Sequence, residues 1–299
     1  MSEALNRYAF EVLAFLERRG FFSSVREVSD ELRIAGSTVE KALEALTAAG
    51  LVDDGKISAS GLAALEPYRV KRAIIVAAGF GSRMMPATQD RPKPLVRVNG
   101  VRIIDTLLDA LVGVGITDIV IVGGYRFEAW QEILGKYPFV RLLENRDYAS
   151  TNNISSAMTA LEYFRDGCYF CEADLFITNP GIIPKYQYAS NILGAYVTET
   201  DDWCYKSVDG YLSDYRKGNT YCWNYYGISY WTPEDCDRLR ADLAAVYAAP
   251  DGKDYFWEFI PFVLRKDRYR VEIRPCRKQD IMEIDNYSEL CQLDESYKK

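Results

Sequence analysis

The densest run of chemistry-bearing residues is Ala77-Ala-Gly79-Phe-Gly81-Ser-Arg83-Met-Met-Pro86-Ala-Thr88-Gln-Asp-Arg-Pro92-Lys93-Pro94-Leu95. Two glycines placed directly after an apolar run let backbone amides approach phosphate oxygens with no Cβ in the way. Arg83 and Lys93 add fixed positive charge, and Pro86, Pro92 and Pro94 stiffen a loop that would otherwise be mobile. Ala78, Gly79, Gly81, Ser82, Arg83 and Lys93 are therefore the candidate cradle of a polyphosphate. The run lacks the third glycine of a dinucleotide fingerprint and the Gly-Lys-Ser/Thr of a Walker loop. The 299 residues include no histidine. Imidazole triads, Cys-His dyads and His-ligated zinc are excluded, so the chemistry must run on carboxylates, Lys, Arg, hydroxyls, thiols or a bound metal ion.

The elements that must hold this loop alternate. Arg72–Ala78 and Asp118–Gly123 are short apolar runs suited to buried parallel strands. Val140–Leu143 and Cys168–Glu172 read as further strands, and Ile103–Val114, Phe127–Leu134 and Ile154–Phe164 read as the helices between them. This order predicts a doubly wound α/β sheet of the Rossmann type. From Ile192 onward strands dominate and aromatics are frequent, which predicts added antiparallel strands and a lid.

Residues 1–68 differ. Tyr8, Val12, Leu13 and Leu16 space as one helical face, Ser24 precedes a second helix, and Ser37-Thr-Val-Glu40 reads as a capping box opening a third. Leu51–Ser58 can form two short strands around a tight turn. Three helices and a hairpin resemble a winged helix-turn-helix, whose implied partner is DNA. Residues 1–70 carry eight basic against eleven acidic side chains, net −3, and the third helix offers only Lys41 near its N-terminal half. That is a poor supply of phosphate-neutralising charge, so docking or dimerisation competes with DNA as its role. The expected division is 1–68 and 69–299.

The whole chain has 36 Lys+Arg against 43 Asp+Glu, a formal charge of −7, which argues against a basic nucleic-acid coat. The seven cysteines are odd in number, and Cys168-x-x-Cys171 has no second pair to complete a zinc site. With no membrane span and no signal-peptide pattern at the N-terminus, these features lead us to expect a cytoplasmic protein with free thiols. Nothing in the sequence fixes an oligomeric state.

Taken as a whole, G-x-G-x-R-x-x-P-x-T-x-x-x-P-K-P resembles the nucleotidyltransferases that activate sugar phosphates and amino-alcohol phosphates with nucleoside triphosphates. Val98–Ile104 and Ile116–Val122 fit the same family. Glu144-Asn-Arg-Asp-Tyr148-Ala-Ser-Thr-Asn152-Asn153-Ile-Ser-Ser156, Glu172-Ala-Asp174-Leu-Phe and Glu283-Ile-Asp285-Asn-Tyr are similar to bacterial choline-phosphate cytidylyltransferases. The resemblance covers roughly residues 72–295. It implies a Rossmann-like nucleotidyltransferase fold with a mixed, mainly parallel sheet, preceded by the small winged-helix domain. It also implies Mg²⁺ held by Asp174 and Asp285, a set the ion's preference for one or two carboxylates plus phosphate oxygens supports. Tyr148, Asn152 and Asn153 would lie near the nucleoside. Glu172 stands where relatives often have Asp, and its role stays open.

Four of the five tryptophans lie between Glu199 and Glu258, among Tyr225, Tyr226, Tyr230 and Tyr255. A quaternary ammonium is held by aromatic faces and nearby carboxylates. Asp202, Trp203, Trp231, Trp257 and Glu258 are the candidate box for it, although aromatics in strands are also ordinary core. The implied reaction is CTP + phosphocholine → CDP-choline + pyrophosphate, with Arg83, Lys93 and Asp174 as its catalytic residues. Phosphoethanolamine, 2-aminoethylphosphonate or a sugar 1-phosphate are the alternative acceptors. A ligand-sensing transcriptional regulator, or one protein serving as both enzyme and repressor, is the alternative class.

Overall fold

The computed structural model describes residues 4–298, which divide into two compact units. The first comprises the chain up to Arg69 together with Lys185–Tyr188; the second is Val70–Pro184 with Ala189 onward.

In the first unit, α1 (Arg7–Arg19), α2 (Val25–Leu32) and α3 (Gly36–Ala48) precede β1 (Val52–Asp53), β2 (Lys56–Ile57) and α4 (Ala59–Leu65). Asp54 and Gly55 both have positive φ, the requirement of a two-residue hairpin turn whose twist matches its strands. Val12, Leu13 and Leu16 are buried as the periodicity requires, but Tyr8 is 51 % exposed and Phe10, three residues before Leu13, takes the inward place. Ser24 caps α2 by accepting from the Glu27 N–H. The expected Ser37–Glu40 capping box does not form. Helix α3 starts at Gly36, so Ser37 already sits inside the first turn, and the amides of Thr38 and Val39 reach the Ala35 carbonyl instead. Glu40, Lys41 and Glu44 are exposed on α3.

The linear division at 68/69 misses Lys185–Tyr188. Tyr186 is buried in the first unit's core, Tyr188 stacks on Tyr68 at 5.5 Å, and the Gln187 N–H donates to the Tyr68 carbonyl at 2.9 Å. Phe10 lies 5.0 Å from Tyr68 and 5.3 Å from Tyr188, completing an aromatic cluster.

The second unit opens with β3 (Arg72–Ala77), the small hairpin β4 (Arg97–Val98) and β5 (Val101–Arg102), α5 (Ile103–Gly113) and β6 (Asp118–Gly123). Next come β7 (Arg141–Glu144), α6 (Ile154–Thr159), β8 (Cys168–Glu172) and β9 (Leu175–Ile177). The long strands β10 (Asn191–Val208) and β11 (Tyr211–Trp231) follow, then α7 (Pro233–Tyr247), β12 (Glu272–Cys276), β13 (Ile281–Glu283) and α8 (Tyr287–Leu293). Strands β7, β6, β3 and β8 lie parallel in that order. Strand β11 adds to β8 antiparallel through Ile228–Trp231, β10 pairs antiparallel with β11, and β12 lies parallel to β10.

The continuous apolar runs of β3 and β6 follow from burial on both faces. Ala73, Ile75 and Ile121 pack beneath α5 with Leu107, Leu111 and Trp130. Ile74, Val76 and Val122 pack on the opposite face with Ile154, Phe164 and Leu243. The helix expected over Phe127–Leu134 is a 3₁₀ segment, Phe127–Gly135, and the one over Ile154–Phe164 stays helical only to Thr159 before a 3₁₀ turn. Helix α7 interrupts the region expected to be strands. Its start is written in Thr232-Pro233-Glu234-Asp235, where Thr232 caps the Asp235 N–H and Pro233 opens the first turn. No described helix is long and apolar enough to cross a membrane.

A chain beginning at residue 70 loses the partners of Tyr186 and Tyr188. We expect it to unfold several degrees below the full-length protein by differential scanning calorimetry, and Tyr186→Ser with Tyr188→Ser to improve the truncate's solubility. An unchanged midpoint and solubility would count against the packing of this segment.

Candidate active site

The candidate residues gather at the C-terminal ends of the parallel strands, the usual ligand edge of such sheets. A cavity of about 690 Å³ opens there. Ala78, Gly79, Gly81, Ser82, Arg83 and Lys93 line it from the loop after β3. The two glycines differ in why they are glycine. Gly81 turns the loop at φ +61°, and a Cβ there would sit 2.9 Å from the Lys93 Cβ. A Cβ at Gly79 would meet nothing within 4 Å, so only an incoming ligand needs that space. Thr88 donates its hydroxyl to the Gly81 carbonyl at 2.9 Å and ties the loop to itself.

Tyr148, Asn152 and Asn153 line the same cavity. Tyr148 lies against Phe80 with ring centroids 5.1 Å apart. Asn152 is pinned by its side-chain N–H to the Asp254 carbonyl at 3.1 Å. Asn153 spans two elements, accepting from the Trp257 N–H at 2.8 Å and donating to the Glu258 carboxylate at 3.3 Å.

The chain brings its acids together through one short sheet. Leu175 of β9 pairs with Glu283 of β13, so Asp174 just before one strand meets Asp285 just after the other. One oxygen each from Asp174, Glu283 and Asp285 lie within 4.8 Å of one another. Lys93 Nζ sits among them, donating to Asp174 at 2.9 Å and Asp285 at 3.2 Å. Arg83 reaches Asp285 with both terminal nitrogens, at 3.2 and 3.1 Å. Burial works against the charge of Lys93, but the two carboxylates outweigh it and hold its pKa above the usual lysine value. Glu283 is pushed up to about 8 by burial, then by Asp174 and Asp285. The other oxygen of Asp174, Oδ1, is buried and has no hydrogen-bond partner. A crowd of oxygen donors with one orphaned lone pair fits a hard divalent cation such as Mg²⁺.

Two more acids line the cavity, Glu258 buried and Glu172 half-buried. Glu172 accepts from the Tyr225 hydroxyl at 3.2 Å, and Glu258 from the Tyr215 hydroxyl at 3.5 Å. Glu172 lies well above the carboxylate range because of burial, then because Glu258, Asp174 and Glu283 repel its charge. Burial pushes Glu258 up to about 7, against the donors Asn153 and Tyr215. Trp203 faces the cavity, stacked on Tyr215 at 5.1 Å, with Asp202 and Phe256 beside it.

The expected three-tryptophan box is not what the structure places here. Trp231 and Trp257 are fully buried in the core beneath the sheet. Trp257 packs on Phe170 at 4.3 Å and on Trp231 at 6.1 Å. Trp231 ends β11 on the same face as Tyr225, and Trp257 lies in the segment after α7; both rings are packed within one core cluster. Three groups that sequence reasoning left unassigned line it instead: Glu283, Tyr225 and Lys217. The spacing held a signal for the acids. Glu172 and Asp174, like Glu283 and Asp285, are two apart, the period that puts both side chains on one face of extended chain.

The sequence profile of the MobA-like NTP transferase domain matches residues 73–195. A 2-aminoethylphosphonate cytidylyltransferase of Lancefieldella rimae is 35% identical over 230 residues, 75% of this chain and 92% of that protein. A choline-phosphate cytidylyltransferase of Streptococcus pneumoniae is 28% identical over 236 residues, 76% of this chain and 98% of that protein. The solved structure of a CTP:phosphocholine cytidylyltransferase from Streptococcus pneumoniae superposes with a TM-score of 0.69 at 27% identity. That match covers 76% of this chain and 99% of that one.

Gly227 controls where Glu172 can sit. Its φ is +59° and an added Cβ would lie 2.6 Å from the Glu172 carboxyl carbon. Gly227→Ala is expected to destabilise the protein by about 1–3 kcal/mol through backbone strain and overpacking, measured by urea unfolding. A neutral result would show that Glu172 has room to move.

Proposed function

The chain belongs to the MobA-like NTP transferase family and is a nucleotidyltransferase, and from that premise we propose that it transfers the cytidylyl group of CTP to a short acceptor with a phosphonate or phosphate at one end and a primary ammonium at the other. An acceptor of the 2-aminoethylphosphonate type is the preferred substrate. The observation that carries this reading is the pair of acids lining the cavity, Glu172 and Glu258, each held by a tyrosine hydroxyl. A primary ammonium has three N–H donors to share between two carboxylates. A trimethylammonium has none and depends on aromatic faces. With Trp231 and Trp257 in the core, Trp203 is the one tryptophan among the described residues that lines the cavity. Phosphocholine is the second reading, favoured by Trp203, Tyr215, Tyr225 and Phe256.

The reaction needs charge management rather than proton transfer. The second pKa of a phosphate ester is near ~6, so its oxygen is already anionic at neutral pH. That oxygen attacks the α-phosphorus of CTP in line; the new P–O bond forms as the bond to the β-phosphate oxygen breaks, and pyrophosphate leaves with the electron pair. Gly79 and Gly81 lend backbone amides to the triphosphate, and Arg83 and Lys93 neutralise it. Glu172 and Glu258 hold the acceptor's tail, so its anionic end is aimed at the reacting phosphorus. Asp174 and Asp285, with Glu283 beside them, hold Mg²⁺, which supplies positive charge to polyphosphate oxygens. The seven cysteines are free, as a reducing cytoplasm keeps them. A separate role for the first unit, DNA binding included, lies outside this reaction.

The test is pyrophosphate release with Mg²⁺ across four nucleoside triphosphates and a panel of acceptors: 2-aminoethylphosphonate, phosphoethanolamine, phosphocholine and sugar 1-phosphates. Turnover is expected with CTP and the primary-amine acceptors, and Asp174→Asn should abolish most of it. Preference for phosphocholine would favour the second reading, and turnover confined to sugar 1-phosphates would overturn both.

Glu258 gives this reading a pH signature. With its pKa raised to about 7, the carboxyl is neutral below that value and ionised above it. Acceptor KM should therefore fall as pH rises through about 7, with CTP KM little changed. Glu258→Gln should remove this dependence and raise acceptor KM roughly ten- to hundredfold, the worth of a charged hydrogen bond.

A further inference from the structure

The two cations best placed to hold a triphosphate are already engaged, and with the acids that would hold a metal ion. Lys93 Nζ bridges Asp174 and Asp285 at 2.9 and 3.2 Å, and Arg83 clasps Asp285 with two nitrogens. We propose that Lys93 is the resident counter-ion of the cation site, so that the site takes up a divalent cation only together with a triphosphate, which receives the lysine as the metal replaces it. The inference rests on the nucleotide-site reading above and concerns what the site will bind: a metal–triphosphate chelate rather than the free cation.

The geometry restricts how the exchange happens. Lys93 lies in a 3₁₀ turn between Pro92 and Pro94, and its Cβ is confined by the close approach of Gly81. The backbone is thus fixed, and the freedom left is in the four-carbon stem. That stem carries a compact ammonium able to change partners by rotation. Asp174 Oδ2 is taken by Lys93 while Oδ1, buried, has no partner, so the lysine satisfies only half of the carboxylate that the metal would use.

A bare divalent ion entering here must displace Lys93, and to some degree Arg83, and leave them beside a dication with no anion to receive them. Like charges a few ångström apart in a partly buried site repel strongly. When a triphosphate enters with the ion, both side chains gain phosphate oxygens as they lose carboxylates. The two ligands are therefore positively coupled, and by linkage the coupling is mutual.

The experiment is Mn²⁺ binding to the nucleotide-free full-length protein, followed by the free-Mn²⁺ electron paramagnetic resonance signal. Lys93→Met should bind Mn²⁺ alone roughly tenfold or more tightly than wild type, and Lys93→Arg, which keeps the charge, should stay near wild type. Equal affinity in Lys93→Met and wild type would overturn the proposal. A purely structural lysine would cost stability on removal without improving cation affinity.

Should Lys93→Met fail to fold, wild type suffices. Mn²⁺ alone and CTP with EDTA should each shift its melting temperature little, and the pair should shift it by more than the sum. A shift from Mn²⁺ alone as large as that of the pair would overturn the exchange. Asp174→Asn separates this from the parent reading: if it leaves Mn²⁺ uptake with CTP intact, the ion lies elsewhere and the metal-site assignment fails.

Discussion

The arrangement on which the rest depends is an excess of carboxylates around a cavity that must also receive a triphosphate. Six acidic side chains line it, Glu172, Asp174, Asp202, Glu258, Glu283 and Asp285, against three cations, Arg83, Lys93 and Lys217. Burial raises the pKa values of Glu172, Glu258 and Glu283, and at Glu172 and Glu283 neighbouring carboxylates raise them further; such crowding works against stability unless cations arrive. The excess becomes intelligible once two cations are expected, a divalent ion at Asp174 and Asp285 and an ammonium at Glu172 and Glu258. Lys93 serves in the meantime at the first of these places.

The fold makes this arrangement possible by bringing distant stretches to one edge of the sheet. Strand β3 delivers the phosphate loop, β8 ends at Glu172, and the β9–β13 pair sets Asp174 beside Asp285, more than a hundred residues later in the chain. The β10–β11 hairpin contributes Trp203 and, opposite it in register, Lys217. At Gly81 and at Gly227 a charged or acidic side chain of the site comes too close for an added Cβ. Lys93 passes the first, and the Glu172 carboxylate fills the second. Both glycines thus shape the charge pattern as well as the backbone.

Much of this was legible in the sequence, because local rules were enough for it. Runs buried on both faces, such as Arg72–Ala77, can be read from composition alone, and the glycine–proline loop carries its chemistry in its spacing. What escaped depended on partners far along the chain. The tryptophans could be counted, but whether Trp203 or Trp231 faces the cavity turns on the register of the β10–β11 hairpin and on where along it each ring sits. Glu283 is a neighbour of Asp174 only because β13 pairs with β9. Lys185–Tyr188 joins a unit that ends at Arg69, which no local periodicity announces. The Ser37 cap failed for a smaller reason: the helix begins two residues sooner, with Ala35 at the N-cap, and a displaced cap is no cap.

The absence of histidine, which at first only narrowed the chemistry, now fits the proposed reaction. A nucleophile that is already an anion and a leaving group that departs as pyrophosphate ask for no proton shuttle. They ask for positive charge at fixed points and for the acceptor to be held by its far end. A buried imidazole would titrate in the range where Glu258 does and would add its own charge to the place the ammonium must occupy. Carboxylates fixed by Tyr215, Tyr225 and Asn153 attract that tail without competing with it. In the proposed reaction selectivity and catalysis rest on the same device, acidic oxygens placed in advance where each cation would sit.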